Sequence, residues 1–260
     1  MRDTVLMTFV LLLLFLTGCI KPQSDEITLF AASSLTDALS EIARSYERKH
    51  PNVTVRVNFG GSSQLATQLA EGAPADLFAS ANETQMQKLV QSGQIAAESV
   101  QFFATNRLVL VVPAENPAAI TSLADLARPG IKLVTAAKEV PIGQYTRDIL
   151  AKMEQSADFS PGFEQAVLGN IVSEEANVRQ VVTKVQLGEA DAAMVYRSDV
   201  RPNQPTLQTI PIPEAYNVQA YYPIAPLHHA RQKEGAANLL AFILSAQGQA
   251  ILHKWGVLSP

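Results

Sequence analysis

The sequence predicts an α/β protein built in two lobes, and three observations carry that expectation. Strand-like and helix-like segments alternate along the chain, the pattern of a mainly parallel sheet covered by helices on both faces. The chain has 260 residues, 47% apolar and 17% charged, with no charge run, which suffices for two cores of ordinary size. Two strand-like stretches, near 106–110 and 216–222, sit between otherwise complete strand and helix runs and read as crossings between lobes. No internal repeat is visible, so the two lobes rest on length and on the number of α/β units.

Residues 1–18 stand apart from this pattern. Val5 to Leu16 is a nearly unbroken apolar run behind Arg2, too short to span a bilayer and suited to the apolar region of an export signal. It ends at Leu16-Thr17-Gly18-Cys19, and Cys19 is the sole cysteine. A buried apolar helix with an incidental cysteine is the duller reading, disfavoured by position, length and the Gly-Cys ending. One cysteine permits no disulfide within the chain, so the domain is expected to be held by its core. Loss of residues 1–18 removes Arg2 and Asp3 together and leaves the net charge at -4. Residues 19–26 then read as a short polar tether.

The first strand is expected at Ile27 to Ala31, followed by a helix whose start carries Ser34 and Asp37 at capping-box spacing. Leu35, Ala38, Leu39, Ile42 and Tyr46 fall on one helical face. Alternation of Val53, Val55, Val57 and Phe59 gives a second strand, and Gly60-Gly61 turns the chain into a helix bearing Leu65 and Leu69. Asp76 to Phe78 reads as a short buried strand, Asn82 as the cap of a helix with Met86 and Leu89, and Leu108 to Val112 as a strand. The pattern restarts at Ile131 to Thr135, with a helix over Gly143 to Met153. Asn177 caps a helix with Val178, Val181, Val182 and Val185. Ala192 to Tyr196, Leu207 to Ile210 and Ala220 to Ala225 are strands, and helices around Leu239 to Leu244 and Gln249 to Trp255 end the chain.

Five segments carry the chemistry: Ala31 to Leu35, Gly60 to Ser63, Val140 to Gly143, Ala176 to Arg179 and Met194 to Tyr196. Each ends a strand or opens a helix with small or polar residues and almost no charge. In open α/β sheets ligands bind beyond the carboxyl ends of the strands. A helix start offers unpaired N–H groups and the positive end of a dipole, so an anion can be held there without lysine or arginine. Ser34, Ser62 and Tyr196 add hydroxyl donors. Each has a bland reading beside this one: Ser34 and Asn177 as ordinary caps, Ser62 and Ser63 as the end of a turn, Tyr196 as a rim aromatic. Their joint arrangement raises the anion site above those readings.

Arg179, the only cation in these segments, is expected to pair with Glu175 or Asp199 rather than with a ligand. His228-His229 reads as solvated, because adjacent residues point apart on a strand and no second pair of ligands accompanies them. Gly60-Gly61-Ser62-Ser63-Gln64 lacks the second glycine of a nucleophile elbow and no histidine lies in the helix starts, which disfavours a serine hydrolase. There is no phosphate-loop run, no carboxylate pair in the cluster for glycosidic work, and no basic patch for nucleic acid.

Phe30-Ala31-Ala32-Ser33-Ser34-Leu35, Gly60-Gly61-Ser62-Ser63-Gln64-Leu65, Gly72-Ala73-Pro74-Ala75-Asp76-Leu77-Phe78, Val140-Pro141-Ile142-Gly143-Gln144-Tyr145, Asn177-Val178-Arg179 and Tyr196-Arg197-Ser198-Asp199 resemble the molybdate-binding proteins of bacterial ABC importers. The resemblance runs from about Ile27 to Trp255. Leu16 to Cys19 resembles the lipobox of bacterial lipoproteins, which implies a lipid anchor at Cys19 on the outer side of the cytoplasmic membrane. The family implies a type II periplasmic-binding-protein fold with 27–106 and 220–260 in one lobe and 107–219 in the other. It implies molybdate or tungstate held by Ser34, Ser62, Ile142, Val178 and Tyr196 through hydrogen bonds, with no direct metal coordination. No cofactor, no catalysis, a monomer and a membrane permease as partner complete the expectation. Ile142 departs from the family, where alanine is common, which bears on pocket volume because only its N–H is implied. Sulfate or an organic acid is the alternative ligand, since the fold hosts many.

Overall fold

The computed structural model describes residues 25–200 and 206–260. The expected signal segment 1–18, the lipid-attachment residue Cys19 and residues 20–24 of the tether lie outside the described residues. Asp25 and Glu26, assigned to the tether from sequence, instead open the first strand, opposite Val53 and Thr54.

The first lobe is a sheet of β1 (Asp25–Ala32), β2 (Val53–Gly60), β3 (Leu77–Ala79), β9 (Gln219–Pro226) and the first half of β4 (Gln101–Pro113), in the order β2-β1-β3-β9-β4. Helices α1 (Thr36–Lys49), α2 (Ser62–Ala70), α3 (Glu83–Gln91), α7 (Lys233–Leu244) and α8 (Ala246–Lys254) cover it. The stripe read from sequence on α1 is the buried one: Ala38, Leu39, Ile42 and Tyr46 all lie in the core with Leu35. Full burial of each large apolar side chain contributes about 1.5–3 kcal/mol. Asn82 caps α3 by accepting the Gln85 N–H at 3.1 Å.

The second lobe holds the rest of β4 with β5 (Leu133–Ala136), β6 (Ile171–Glu175), β7 (Ala193–Tyr196) and β8 (Leu207–Pro211), packed with α4 (Pro141–Glu154), α5 (Phe163–Gly169) and α6 (Val178–Gln186). The parallel pair β5-β6 joins the others through a bridge from Leu133 to Ala192. On α6 the four valines at 178, 181, 182 and 185 are buried as the periodicity requires, and Asn177 caps it from the Gln180 N–H at 3.2 Å.

β4 joins the lobes. Gln101 to Arg107 pairs with β9, and Leu108 to Val111 pairs with β7, so the strand changes sheets between Arg107 and Leu108. β9 begins at Gln219, directly opposite Arg107, which sets the two crossings side by side. β4 is longer than the predicted Leu108 to Val112 because polar residues in its first half find partners. Thr105 Oγ1 donates to the Ser259 carbonyl at 2.9 Å and Asn106 Nδ2 to Ser198 Oγ at 2.7 Å.

Two expectations need correction. The sheets are mixed rather than mainly parallel: β9 runs antiparallel to β3 and β4, and β4 antiparallel to β7 and β8. A strand that crosses between lobes enters each sheet in a direction set by the crossing rather than by a helical return. The Ser34–Asp37 capping box does not form either. Ser33–Leu35 make a 3-10 turn ahead of α1 with no side-chain cap, and both side chains are engaged elsewhere.

Candidate functional site

β1 and β2 are parallel neighbours with Ala32 beside Gly60, so the segments that follow them leave the sheet side by side. β5 and β6 repeat this in the second lobe with Ala136 beside Glu175. The two pairs of strand ends face each other across the cleft. Ser34, Ser62, Ile142, Val178 and Tyr196, the five residues predicted to bind a ligand, all line one cavity there. Its volume, about 10 Å³, is the room of about one water-sized body.

Each lining residue is placed by an element. Ser62, Ile142 and Val178 lie in the first turns of α2, α4 and α6, where N–H groups have no partner within their own helix. Pro141 stands at the first position of α4, where a missing N–H costs nothing and its fixed φ suits the helix. Gly143 allows α4 to sit on the end of β5, since a Cβ there would meet the Ala137 and Ala136 carbonyls at 2.2 and 2.3 Å. Ser62 Oγ accepts the Ala81 N–H at 3.0 Å, so its own proton is left for the cavity. Ala81, in the loop after β3, also lines the cavity and was missed from sequence, because its contribution is backbone alone.

No lining residue carries a formal charge, and none is a histidine or a carboxylate. Tyr196 is 1% exposed, and its hydroxyl is buried without a hydrogen-bond partner among the described residues. Burial, with Tyr222 and Tyr145 nearby, pushes its ionisation well above the usual phenol range, so it is a neutral donor. The Tyr196 ring lies 5.8 Å from that of Tyr222 and 6.4 Å from that of Tyr145.

The lobes touch around the cavity. Asn82 Nδ2 donates to Gln144 Oε1 at 3.1 Å, and Gln85 Nε2 to the Glu139 carbonyl at 2.8 Å. Gly61 approaches so closely that a Cβ on it would lie 2.2 Å from the Ala176 carbonyl oxygen. Arg179 is not among the lining residues. Its guanidinium reaches across the cleft to Asp37 at 2.7 Å and to the Ser33 carbonyl at 3.2 Å, with Asp199 at 3.5 Å on its own lobe. Asp199 was one of its two expected partners; the other, Glu175, pairs instead with Lys184 at 2.9 Å. Asp199 is fully buried, and burial raises its carboxyl to about 7 against the opposing pull of Arg179 and the Tyr196 N–H.

His228 is held by the Gly93 carbonyl, 2.8 Å from Nδ1. Among the described residues no group of three histidine, cysteine or acidic side chains is placed to hold a metal ion. The site can therefore present hydroxyl and backbone protons to a small anion, and its lining offers neither a base nor a nucleophile activated by one.

Residues 27–258 match the family of bacterial extracellular solute-binding proteins. The chain is 39% identical over 235 residues to a molybdate-binding protein of Mycobacterium tuberculosis, covering 90% of this chain and 85% of the relative. Among solved structures it resembles the periplasmic molybdate-binding protein of Azotobacter vinelandii, with a TM-score of 0.77 at 18% identity, covering 90% of this chain and 99% of that one. It also resembles a sulfate-binding protein of Mycobacterium tuberculosis, with a TM-score of 0.78 at 20% identity, covering 90% and 86%. At those identities the two structures establish the two-lobed fold and leave the ligand to other observations.

Proposed function

The chain belongs to the bacterial extracellular solute-binding proteins, and from that premise we propose that it captures molybdate, with tungstate as second ligand, between its lobes and delivers it to an ABC importer. Similarity to a named molybdate-binding relative over 90% of the chain supports the ligand class. One observation carries the site: uncharged donors from both lobes surround a single cavity, and the buried Tyr196 hydroxyl has no hydrogen-bond partner among the described residues. Ser34, Ser62 and Tyr196 supply hydroxyls and Ile142 and Val178 supply N–H groups to the four oxygens of the anion. The lobes are proposed as 27–106 with 220–260 and 107–219. Export, a lipid anchor at Cys19, a monomeric state and the absence of catalysis belong to the same proposal.

Selectivity follows from the donors. Hydrogen phosphate carries a proton and needs an acceptor, which the lining does not supply. Sulfate is fully ionised but smaller, and leaves buried donors unfilled. A sulfate receptor is the second reading, favoured by the shared fold with a sulfate-binding protein. Thermal unfolding with molybdate, tungstate, sulfate and phosphate decides between them. A ligand at a hundred times its Kd adds about 2.7 kcal/mol. Stabilisation by molybdate and tungstate beyond that by sulfate is expected, and its absence removes the proposal.

A further inference from the structure

Behind the cavity wall lies a chain of polar groups that meets the lining by a hydrogen bond at Ser34 and by ring contact at Tyr196. Tyr222 is fully buried, and its hydroxyl lies 3.3 Å from Ser34 Oγ. On its other side Asn106 Nδ2 approaches it at 3.5 Å while donating to Ser198 Oγ at 2.7 Å. The orientation of that amide is set independently. Asn106 Oδ1 accepts the Arg107 N–H at 3.0 Å, and a backbone N–H can only donate, so the group facing Tyr222 is the NH2.

This fixes the direction of the whole chain. Asn106 donates to the Tyr222 oxygen, and among the described residues the Tyr222 proton is then left with Ser34 Oγ, since the neighbouring Tyr196 hydroxyl makes no hydrogen bond. The reverse order, with Ser34 donating to Tyr222, would strand the tyrosine proton in a fully buried place, which is costly. With one lone pair taken by Tyr222 and no acceptor on that side for its proton, Ser34 turns its own proton to the cavity. The geometry points to Asn106 and Tyr222 as positioning residues that hold Ser34 as a donor, and so make the site reject anions that carry a proton. This rests on the proposed oxyanion reading of the cavity. It adds two residues outside the lining that set which protonation state of an anion is accepted. Ser62, fed by the Ala81 N–H, is held as a donor in the same sense but by backbone.

The test compares chromate with hydrogen arsenate at mildly alkaline pH, two oxyanions of like charge and similar size of which only arsenate retains a proton, with molybdate as reference. Tyr222→Phe keeps the buried ring and removes the proton that orients Ser34. Asn106→Asp keeps the acceptor for the Arg107 N–H and turns the group facing Tyr222 from donor to acceptor, which allows the relay to reverse. Both variants are expected to lower the chromate-to-arsenate affinity ratio by about tenfold or more, the size of one hydrogen bond to a charged group. Asn106→Asp is expected to lower it further. Equal weakening of both anions in both variants, or no change, overturns the relay, since a purely structural role would not alter the ratio. Failure of the wild-type protein to bind molybdate is a different result and overturns the oxyanion site itself. Circular dichroism and the unfolding midpoint establish that each variant is folded.

Discussion

Replacing Gly61 with alanine separates lobe closure from folding. Gly61 precedes α2 in the first lobe with φ -65° and ψ 131°, a conformation alanine adopts without strain. Within its own lobe the added methyl meets nothing closer than a van der Waals contact, but across the cleft it lies 2.2 Å from the Ala176 carbonyl oxygen. The lobes must part there by roughly 1 Å to restore an acceptable separation. A hydrogen bond of about 2.9 Å lengthened by that amount ceases to be one. If two bonds from one lobe to the anion are lost, at about 1.5–3 kcal/mol each, the total is about 3–6 kcal/mol. That corresponds to a loss of affinity of about 150-fold to about 20,000-fold. Calorimetric titration with molybdate reads the affinity, and urea unfolding without ligand should give a wild-type midpoint. Affinity within about threefold of wild type would refute the claim that the ligand is held from both lobes at once.

Ser34→Ala and Ser62→Ala should each weaken molybdate binding by about tenfold or more, through loss of a donor to a charged ligand; unchanged affinity in both would mean that the ligand sits elsewhere. Tyr196→Phe should weaken binding similarly while leaving the ligand-free protein as stable or about 1 kcal/mol more so, because the hydroxyl it removes is buried without a partner. Urea unfolding of that variant reads the second effect, and a clear loss of stability would reveal a partner for the phenol. Asp199 titrates near 7 when folded against a usual 3.8, so the folded protein holds a proton that the unfolded chain has already released. Its contribution to stability is therefore complete below the unfolded value and lost as pH rises towards about 7. Asp199→Asn should flatten the dependence of melting temperature on pH across that interval, and a slope identical to wild type would assign it to other groups.

Periodicity made most elements legible in advance. The valines of α6 and the alternation of β2 declare their faces, and Asn82 and Asn177 cap the helices they were expected to cap. Strand direction was not legible, because alternation of apolar residues is the same in parallel and antiparallel pairs, and β4 and β9 run against the helical-return pattern. Local signals also failed to separate a cap from a site residue. Ser34 and Asp37 have ideal spacing for a capping box, yet Ser34 meets Tyr222, 188 positions away, and Asp37 meets Arg179, 142 positions away. Long-range partners outbid the local bond, and no window along the chain contains them. The five predicted residues among the lining could be found because strand ends in α/β sheets converge by construction. Asn106 and Tyr222 could not, since in sequence they are polar and aromatic residues in ordinary strands.

The placement of Arg179 shows why an uncharged lining suits a receptor that must also let go. Of the five helix-start and strand-end segments it alone carries a cation, and the structure commits that cation to Asp37 and Asp199 instead of to the cavity. A guanidinium in the lining would attract any anion from either lobe alone, at long range and with little regard for protons or size. Neutral donors act only at hydrogen-bond distance and only with good geometry. Here they are divided, Ser34 and Ser62 on one lobe and Ile142, Val178 and Tyr196 on the other, so that neither half completes the shell. On the proposed function tight binding requires donors from both lobes, and the Arg179–Asp37 pair, which links the lobes beside the cavity, would favour the arrangement that brings them together. On that proposal, opening the lobes would part the anion from the donors of one of them. On the proposed function, capture and release would be two positions of lobes joined at the paired crossings, where β4 changes sheets between Arg107 and Leu108 and β9 begins opposite at Gln219.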